Sequence, residues 1–282
     1  MSKLALVTGG TGFLGESLIK QLLILNYSVR VVARNESKLI NLKSRFPSIE
    51  IIPGDISNII TAKQACNDVN AIFHLAAFKH VRMAEEYACE CINTNVIGSM
   101  NILNETLNNP KLEFIIGIST DKVASVSGTY GATKFLMESL FTQYERINKR
   151  VKYRLVRYGN VLYSSGSVLC LWKDKLLNGE EITITDRNIT RFYWHIDEAI
   201  KLIFDCLANA TSSEAYLPQM KSMILGDILE AMTRKYLPKD KVLTVKEIGL
   251  QKGENMHECL IMNGPTSANY EKYTIDEIEK MI

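Results

Sequence analysis

The sequence predicts an α/β fold, a doubly wound parallel sheet carrying a smaller C-terminal lobe, and three observations lead there. Short β-branched runs alternate with amphipathic helical stretches through the first half of the chain. A glycine-rich turn, "TGGTGFLG", joins the first of those runs to the first helix. Beyond roughly Val161 the texture changes to shorter elements. Alternation of this kind is the mark of a parallel sheet covered by helices on both faces.

The elements follow in order. "LALVT" (4–8) is a strand and a helix runs from it to Leu25; "SVRVVA" (28–33) is the second strand, with a helix through Leu42. "IEIIP" and "AIFHLA" are the third and fourth strands, then comes a long helix from Tyr87 to Leu107, then the strand "EFIIGIS". The stretch "GATKFLMESLFTQYERINK" reads as a helix with apolar Phe135, Leu136, Leu140 and Phe141, and the strand "YRLVRYG" follows. About seven strands are expected on run length. The later elements, "SVLCLWKDKLLNG", "ITIT", "HIDEAIKLIFDCLA" and "MILGDILEAMTRKYL", read as a lobe on the carboxyl edge of the sheet, where open α/β sheets bind ligands. The expected division is 1–160 for a dinucleotide-binding, Rossmann-type part and 161–282 for a substrate-binding lobe, the two forming one folding unit.

Composition narrows the function classes. With 282 residues, 46% of them apolar, the chain can bury a sizeable core. The net charge is +2 with no block of like charge, which argues against nucleic acid or a membrane surface as partner and leaves a small molecule. Six cysteines stand without C-x-x-C or paired histidine spacing, so buried thiols are a better reading than a metal site or a disulfide framework. No charged leader with an apolar run is visible, and no apolar run approaches about 18 residues, so a soluble cytoplasmic protein is expected.

In the glycine turn, Gly9, Gly12 and Gly15 suit a tight turn, a close approach to a pyrophosphate and helix-on-strand packing. Thr11, Phe13 and Leu14 lie between them at the start of the helix, whose N-terminus faces the anion. At the end of the second strand an NAD enzyme would carry an acid, and this chain has Arg34. A guanidinium there, with Lys38 one turn on, suits a 2′-phosphate and hence NADP; the plain alternative is a solvated basic strand end with Glu36 nearby. Asp55, with Ile56 beside it, follows the third strand as an acceptor for the adenine amino group or as a turn former. Ala76 and Ala77 let a cofactor lie against the backbone after the fourth strand, and Lys79 and His80 point into the cleft or into water. Asn95 could hold an active-site water or a backbone group, or satisfy its own helix.

Tyr130 and Lys134 lie four apart on a helix and share a face. The lysine ammonium and a nicotinamide ring are expected to pull the phenol down from about 10, so that Tyr130 can take a hydroxyl proton as hydride leaves. Asp121 and Lys122 sit just past the fifth strand, beside Thr120. Such a dipeptide is usually a surface ion pair. Here it falls where substrate should lie, and an elimination needs one acid and one base.

Together, "TGGTGFLG", "LAAFKHV", "ISTDK" with "YGATK", "RYGNV" with "SGSV", "ITDRNITRF" and "KGENMHE" resemble the extended short-chain dehydrogenase/reductases of nucleotide-sugar metabolism. Within these, the resemblance is to the UDP-N-acetylglucosamine 4,6-dehydratases of polysaccharide biosynthesis, some of which invert C5. It implies NADP reduced and reoxidised within one turnover, a UDP-sugar substrate, and a homo-oligomer of two or more chains. By matching motif, Thr120, Tyr130 and Lys134 form the redox set, Asp121 protonates the departing C6 hydroxyl and Lys122 is the base at C5. Lys79, Gly159 and Asn160, Ser167 and Val168, Thr190, Arg191 and Phe192, and Glu254 with His257 match segments that hold the UDP-sugar. Arg191 is expected on the diphosphate, the alternative being an ion pair with Asp186 or Asp197. Gln251 and Lys252 stand where the family pattern has Arg-Pro, and the tail after Asn269 is short, so a reduced substrate lid is expected. A 4-epimerase or 4-ketoreductase would need Tyr130 and Lys134 but not Asp121 and Lys122; an NADP-sensing regulator would need the glycine turn and no tyrosine.

Overall fold

A computed structural model describes residues 2–282. The chain opens with β1 (Leu4–Thr8), α1 (Phe13–Ile24), β2 (Ser28–Ala33), α2 (Glu36–Arg45), β3 (Glu50–Pro53), α3 (Ile59–Cys66) and β4 (Ala71–His74). Next come α4 (Val81–Glu86), α5 (Ala88–Ile92), a π-helical turn at Asn93–Ile97, α6 (Gly98–Asn108) and β5 (Phe114–Thr120). A 3₁₀ turn at Asp121–Val123 leads to α7 (Thr129–Ile147), β6 (Lys152–Tyr158) and β7 (Asn160–Val161). The remainder is α8 (Val168–Asn178), β8 (Ile182–Ile184), β9 (Thr190–Arg191), β10 (Tyr193–Trp194), α9 (Ile196–Asn209), β11 (Ala215–Tyr216), β12 (Met223–Ile224), α10 (Leu225–Tyr236), β13 (Val245–Glu247) and α11 (Ile275–Met281).

Seven strands form one parallel sheet in the order β11-β6-β5-β4-β1-β2-β3. The chain winds outward from β1 to β3, then returns to β4 beside β1, and that reversal opens a crevice at the carboxyl edge. Alternate residues of a strand enter opposite layers: Ala5 and Val7 pack with α1 and α9, through Leu18, Leu22 and Ile203. Leu6 packs on the other face with α3, α6 and α7, through Ala62, Ile102, Met137 and Phe141. The lobe has a separate core around Leu169, Trp172, Ile228, Met232 and Ile278. Its last helix, α11, starts at a capping box in which Thr274 Oγ1 accepts from Glu277 N at 3.2 Å and Glu277 Oε2 accepts from Thr274 N at 2.7 Å.

Two elements depart from the sequence reading. Six of the sheet strands are complete by Tyr158, and the seventh is β11, paired with β6. Residues 196–216 therefore cross back from the lobe to the sheet, with α9 covering its α1 face. The expected long helix from Tyr87 to Leu107 is divided into α5, the π turn and α6. From the first turn of α6 the Ser99 hydroxyl donates to the carbonyl of Asn95 in the π turn at 2.6 Å, and the Asn95 amide leaves the helix to grip the loop after β4. That extra residue in one turn is what π-bulges at functional sites commonly provide. Among the described residues no helix is long and apolar enough to cross a membrane, and no cluster of three or more His, Cys, Asp or Glu side chains could hold a metal ion.

Candidate active site

The crevice is a cleft of about 590 Å³ lined from the glycine turn to Tyr130 and Lys134. Gly9 has φ +69°, and a Cβ there would lie 2.8 Å from the backbone N and Cα of Ala76, so the turn touches the end of β4 backbone to backbone. A Cβ on Gly15 would lie 2.6 Å from Gly10 Cα, which sets α1 tight against its own entry loop. Gly12 caps α1 with no side-chain hydrogen bond among the described residues. The first-turn N–H groups of α1, with Thr11, Phe13 and Leu14 on the cleft wall, are thus left for an anion. These features fit a dinucleotide pyrophosphate.

A buried relay fixes the facing wall. Thr8 Oγ1 accepts from Leu75 N and Ala76 N, both at 3.1 Å, and lies 3.0 Å from His74 Nδ1; His74 Nε2 lies 2.9 Å from Ser99 Oγ. Burial pulls His74 down to about 3, so the ring is neutral. Because Ser99 donates to the Asn95 carbonyl, its oxygen accepts from His74 Nε2–H, and Nδ1 accepts from Thr8. Asn95 itself is not on the cleft wall. Its amide accepts from Phe78 N at 2.8 Å and donates to Phe78 O and Thr133 Oγ1, both at 3.0 Å, so of the expected roles it takes that of holding a backbone group, and it positions the loop that bears Ala76, Ala77 and Lys79 rather than facing a cofactor. Thr8, His74 and Ser99 were not singled out from sequence, since only the fold brings them together.

At the outer end, Arg34, Lys38, Asp55 and Ile56 line the cleft. Arg34 Nη1 lies 3.7 Å from Asp55 Oδ2 and its side chain is half exposed. Asp55 Oδ1 also accepts from Ser57 N and Ser57 Oγ, both at 2.9 Å, so it is a turn former as well as a cleft carboxylate. Lys79, Asn160, Ser167 and Val168 line the opposite end; Lys79 Nζ donates to Ser165 O at 3.0 Å, and burial pulls its ammonium below the usual lysine range.

At the inner end, Thr120, Lys122, Tyr130 and Lys134 face the cleft. A Cβ on Gly131 would meet Lys122 O at 2.6 Å, so the start of α7 lies directly on the 3₁₀ turn. Burial pushes Tyr130 up to about 12, against the downward pull of Lys122 and of the Thr120 hydroxyl. This differs from the expected lowering by Lys134. That ammonium donates instead to Ile118 O at 2.7 Å and Met137 Sδ at 3.4 Å, and burial draws it down to about 8. Lys122 is therefore the cation that tunes the tyrosine.

Asp121 is fully buried behind Lys122 rather than on the cleft wall. Its Oδ1 accepts from Thr120 Oγ1 at 2.9 Å and Lys122 Nζ at 3.0 Å, while Oδ2 has no hydrogen-bond partner among the described residues. Lys122 Nζ also lies 3.4 Å from Oε1 of Glu258, which is 1% exposed. Burial alone would lower Lys122, but the two carboxylates outweigh it and hold the ammonium above its usual range. Glu258 was missed; the signal was the final acid of the quoted "KGENMHE", beside the two residues chosen there.

Four expected substrate contacts lie off the cleft wall. Arg191 donates to the carbonyls of Thr190 (2.9 Å), Met256 (3.1 Å) and Asn255 (2.8 Å), and its Nε lies 3.9 Å from Glu258, so its fork is occupied within the protein and pairs with neither Asp186 nor Asp197. The Thr190 hydroxyl is shared between Ser267 Oγ at 2.6 Å and His257 Nδ1 at 2.8 Å. Glu254 accepts from Gln251 N at 3.2 Å. None of Thr190, Arg191, Glu254 and His257 lines the cleft; Thr190, Arg191 and His257 join β9 to the C-terminal segment and so deliver Glu258 to Lys122, while Glu254 braces that segment. Phe192 is likewise buried, edge-on to Tyr270. Gln251 and Lys252 also lie off the cleft wall.

Residues 5–279 match the family described as polysaccharide biosynthesis protein. The chain is 35% identical over 288 residues to an uncharacterized membrane protein of Methanocaldococcus jannaschii, covering 99% of this chain and 84% of that one. It is 32% identical over 274 residues to the inverting UDP-N-acetylglucosamine 4,6-dehydratase of Campylobacter jejuni (94% and 79% covered), and 30% identical over 270 residues to a UDP-glucose 4-epimerase of Rickettsia rickettsii (93% and 78%). Among solved structures, Pen from Bacillus thuringiensis superposes with a TM-score of 0.94 at 27% identity, covering 100% of this chain and 97% of that one.

Proposed function

Because the chain belongs to the polysaccharide biosynthesis protein family of short-chain dehydrogenase/reductases, we propose that it is a nucleotide-sugar-modifying enzyme, a UDP-N-acetylglucosamine 4,6-dehydratase working with NADP. The observation that carries the dehydratase reading is the Asp121–Lys122 pair, bonded at 3.0 Å beside Tyr130. Epimerisation or simple ketoreduction calls for a tyrosine and no such pair, although the resemblance to 4-epimerases keeps that reading as the second one. For the nucleotide, Arg34 supports NADP: its guanidinium is half exposed and loosely held, so it can turn from Asp55 to a 2′-phosphate.

A bound nicotinamide supplies the hydride acceptor for oxidation at C4 and the hydride donor for C6. Tyr130 takes the C4 hydroxyl proton, and the Lys122 ammonium favours its phenolate against the upward push of burial. A 4-keto group acidifies C5–H. The bond from Lys122 Nζ to Asp121 Oδ1 allows one proton to cross, which leaves a neutral amine and a carboxylic acid: one base and one acid, with no change in net charge. The amine takes the C5 proton while the acid protonates the C6 oxygen, which leaves as water. Both groups are then back in their starting forms; as C6 receives hydride, the Lys122 ammonium returns a proton to C5 and is reprotonated from the Tyr130 phenol, so the proton taken from the C4 hydroxyl closes the cycle. Burial of Asp121 means that its proton reaches the sugar through its free Oδ2 or by way of Thr120.

Incubation with UDP-N-acetylglucosamine and mass analysis of the nucleotide product tests the reading. Loss of one water is expected; a product of unchanged mass with an inverted C4 would establish the epimerase instead.

A further inference from the structure

We propose that Glu258 is a positioning residue that holds Lys122 as an ammonium at rest. The amine is then released by proton transfer to Asp121 and is not free to condense with the carbonyl carbon that the reaction creates beside it. This rests on the dehydratase reading for its consequence, though not for its geometry.

Five charged or titratable groups face Lys122: Asp121 from its own turn, Glu258 from the C-terminal segment, Arg191 from β9, Tyr130 from α7 and Tyr193 from β10. The two carboxylates favour the ammonium and Arg191 opposes it. Asp121 favours the ammonium at rest but is also its proton acceptor during elimination, where it gives up its charge. Glu258 has no such second task. It lies off the cleft wall at 1% exposure, so it touches no substrate, and its Oε1 is 3.4 Å from Lys122 Nζ. Its backbone is fixed, with Glu258 N donating to Ser267 Oγ at 3.0 Å and Ser267 N donating to Glu258 O at 2.7 Å. Its Oε2 accepts from Asn255 Nδ2 at 3.4 Å. Arg191 is tied to three carbonyls and cannot follow Glu258 toward Lys122.

The hazard is specific. Lys122 lines the cleft, and a 4-keto sugar would bring an electrophilic carbon within reach of it. A neutral amine attacks such a carbon, forms the C–N bond and expels the carbonyl oxygen as water, giving an imine. An ammonium has no lone pair and does not. Glu258 keeps Lys122 in the unreactive form until Asp121 accepts its proton.

Formaldehyde with cyanoborohydride reads this without substrate, since a neutral amine forms the imine and hydride reduces it to a methyl-lysine located by peptide mass. In Glu258→Gln, methylation of Lys122 should rise about tenfold or more, the change expected for each unit by which the amine is more easily deprotonated. Lys134, equally part of the inner wall, should keep its wild-type rate; loosening of the fold would raise both together and overturn the proposal. Glu258→Asp, which keeps the charge but draws it back, should give an intermediate rise and serves if the amide variant does not fold. An unchanged Lys122 rate in a folded variant overturns the inference even where water loss is observed. A raised rate in a protein that removes no water from UDP-N-acetylglucosamine leaves the guard in place and overturns the dehydratase reading.

Discussion

The two ends of the cleft are made in opposite ways. At the glycine turn the binding surface is backbone: side chains are absent where Gly9 meets Ala76 and where Gly15 meets Gly10, and first-turn N–H groups supply the polarity. At the 3₁₀ turn the surface is charge. Asp121, Lys122, Glu258 and Arg191 form a buried set of two anions and two cations drawn from three separate parts of the chain. A backbone cradle tolerates an anion of any identity that fits, whereas a buried charge set is stable when every member has its partner and fails when one is removed. Binding by the first and chemistry by the second is the division this difference suggests.

The sharpest way to break that contrast is at Lys122. Its replacement by Met leaves Asp121 and Glu258 with no cation between them, and an uncompensated buried charge costs about 3–5 kcal/mol. Water loss should fall by about 10³-fold or more, since one side chain supplies both the base and the proton for the acid. Cofactor reduction on adding substrate should persist, because Thr120, Tyr130 and Lys134 remain. It should be slower near neutral pH, as Tyr130 loses the cation that pulls it down. Absorbance of the reduced nicotinamide in stopped flow, beside a melting curve, checks both. Wild-type turnover with unchanged melting would reduce the pair to a structural ion bridge.

The same contrast explains what the sequence made legible. The glycine turn is local: a strand, eight residues and a helix carry the whole feature, so reading "TGGTGFLG" in place is enough. The sheet was legible for the same reason as far as β6, because each βα unit announces itself in consecutive residues. Two-residue β11, more than fifty residues later, has no pattern of its own and is a strand because β6 offers an open edge. Asp121 and Lys122 could be found as neighbours, but Glu258 is 136 positions from Lys122 and no spacing rule links them. The partners of Arg191 were not legible because a guanidinium beside a strand end suits phosphate and carbonyl oxygens equally well, and the carbonyls of residues 190, 255 and 256 are visible in the fold alone. Lys134 was expected to act on Tyr130 by its charge; burial instead governs both residues.

At the backbone end, charge enters at its rim alone, and that is the place for a smaller effect. Arg34→Ala should weaken NADP by about 2 kcal/mol, or roughly thirtyfold, the worth of a charge-assisted contact at a partly exposed site, while NAD affinity stays within a few-fold. Extraction of the bound nucleotide from wild type should return NADP. Titration of each nucleotide into stripped protein checks the variant. Equal losses for both nucleotides, or NAD alone in the wild-type extract, would mean that Arg34 serves Asp55 and does not read a phosphate.

Lys134 lies between the two regimes, a single cation that hydrogen-bonds to a carbonyl and a thioether rather than to an acid. Burial holds it at about 8 in the folded protein against 10.5 for the free side chain, with Glu138 the leading influence in the other direction. Between those two values the unfolded chain carries a proton that the folded chain has given up, so unfolding takes up a proton and stability from this group increases with pH. Below about 8 both states carry it and the increase vanishes. Other groups move the opposite way at higher pH: buried Tyr130, at about 12, and Cys206, pushed up to about 12 by burial, hold protons longer in the folded state and lose stability as pH rises past their unfolded values. A difference between wild type and Lys134→Met removes those shared contributions. Measured by denaturant titration at matched nucleotide occupancy, the wild type should gain about 1 kcal/mol on the variant between about pH 7.5 and pH 9, at a slope approaching 1.4 kcal/mol per pH unit. A flat difference over that range would show that the ammonium keeps its proton, and Lys134 would then join Lys122 among the cations whose charge the fold preserves.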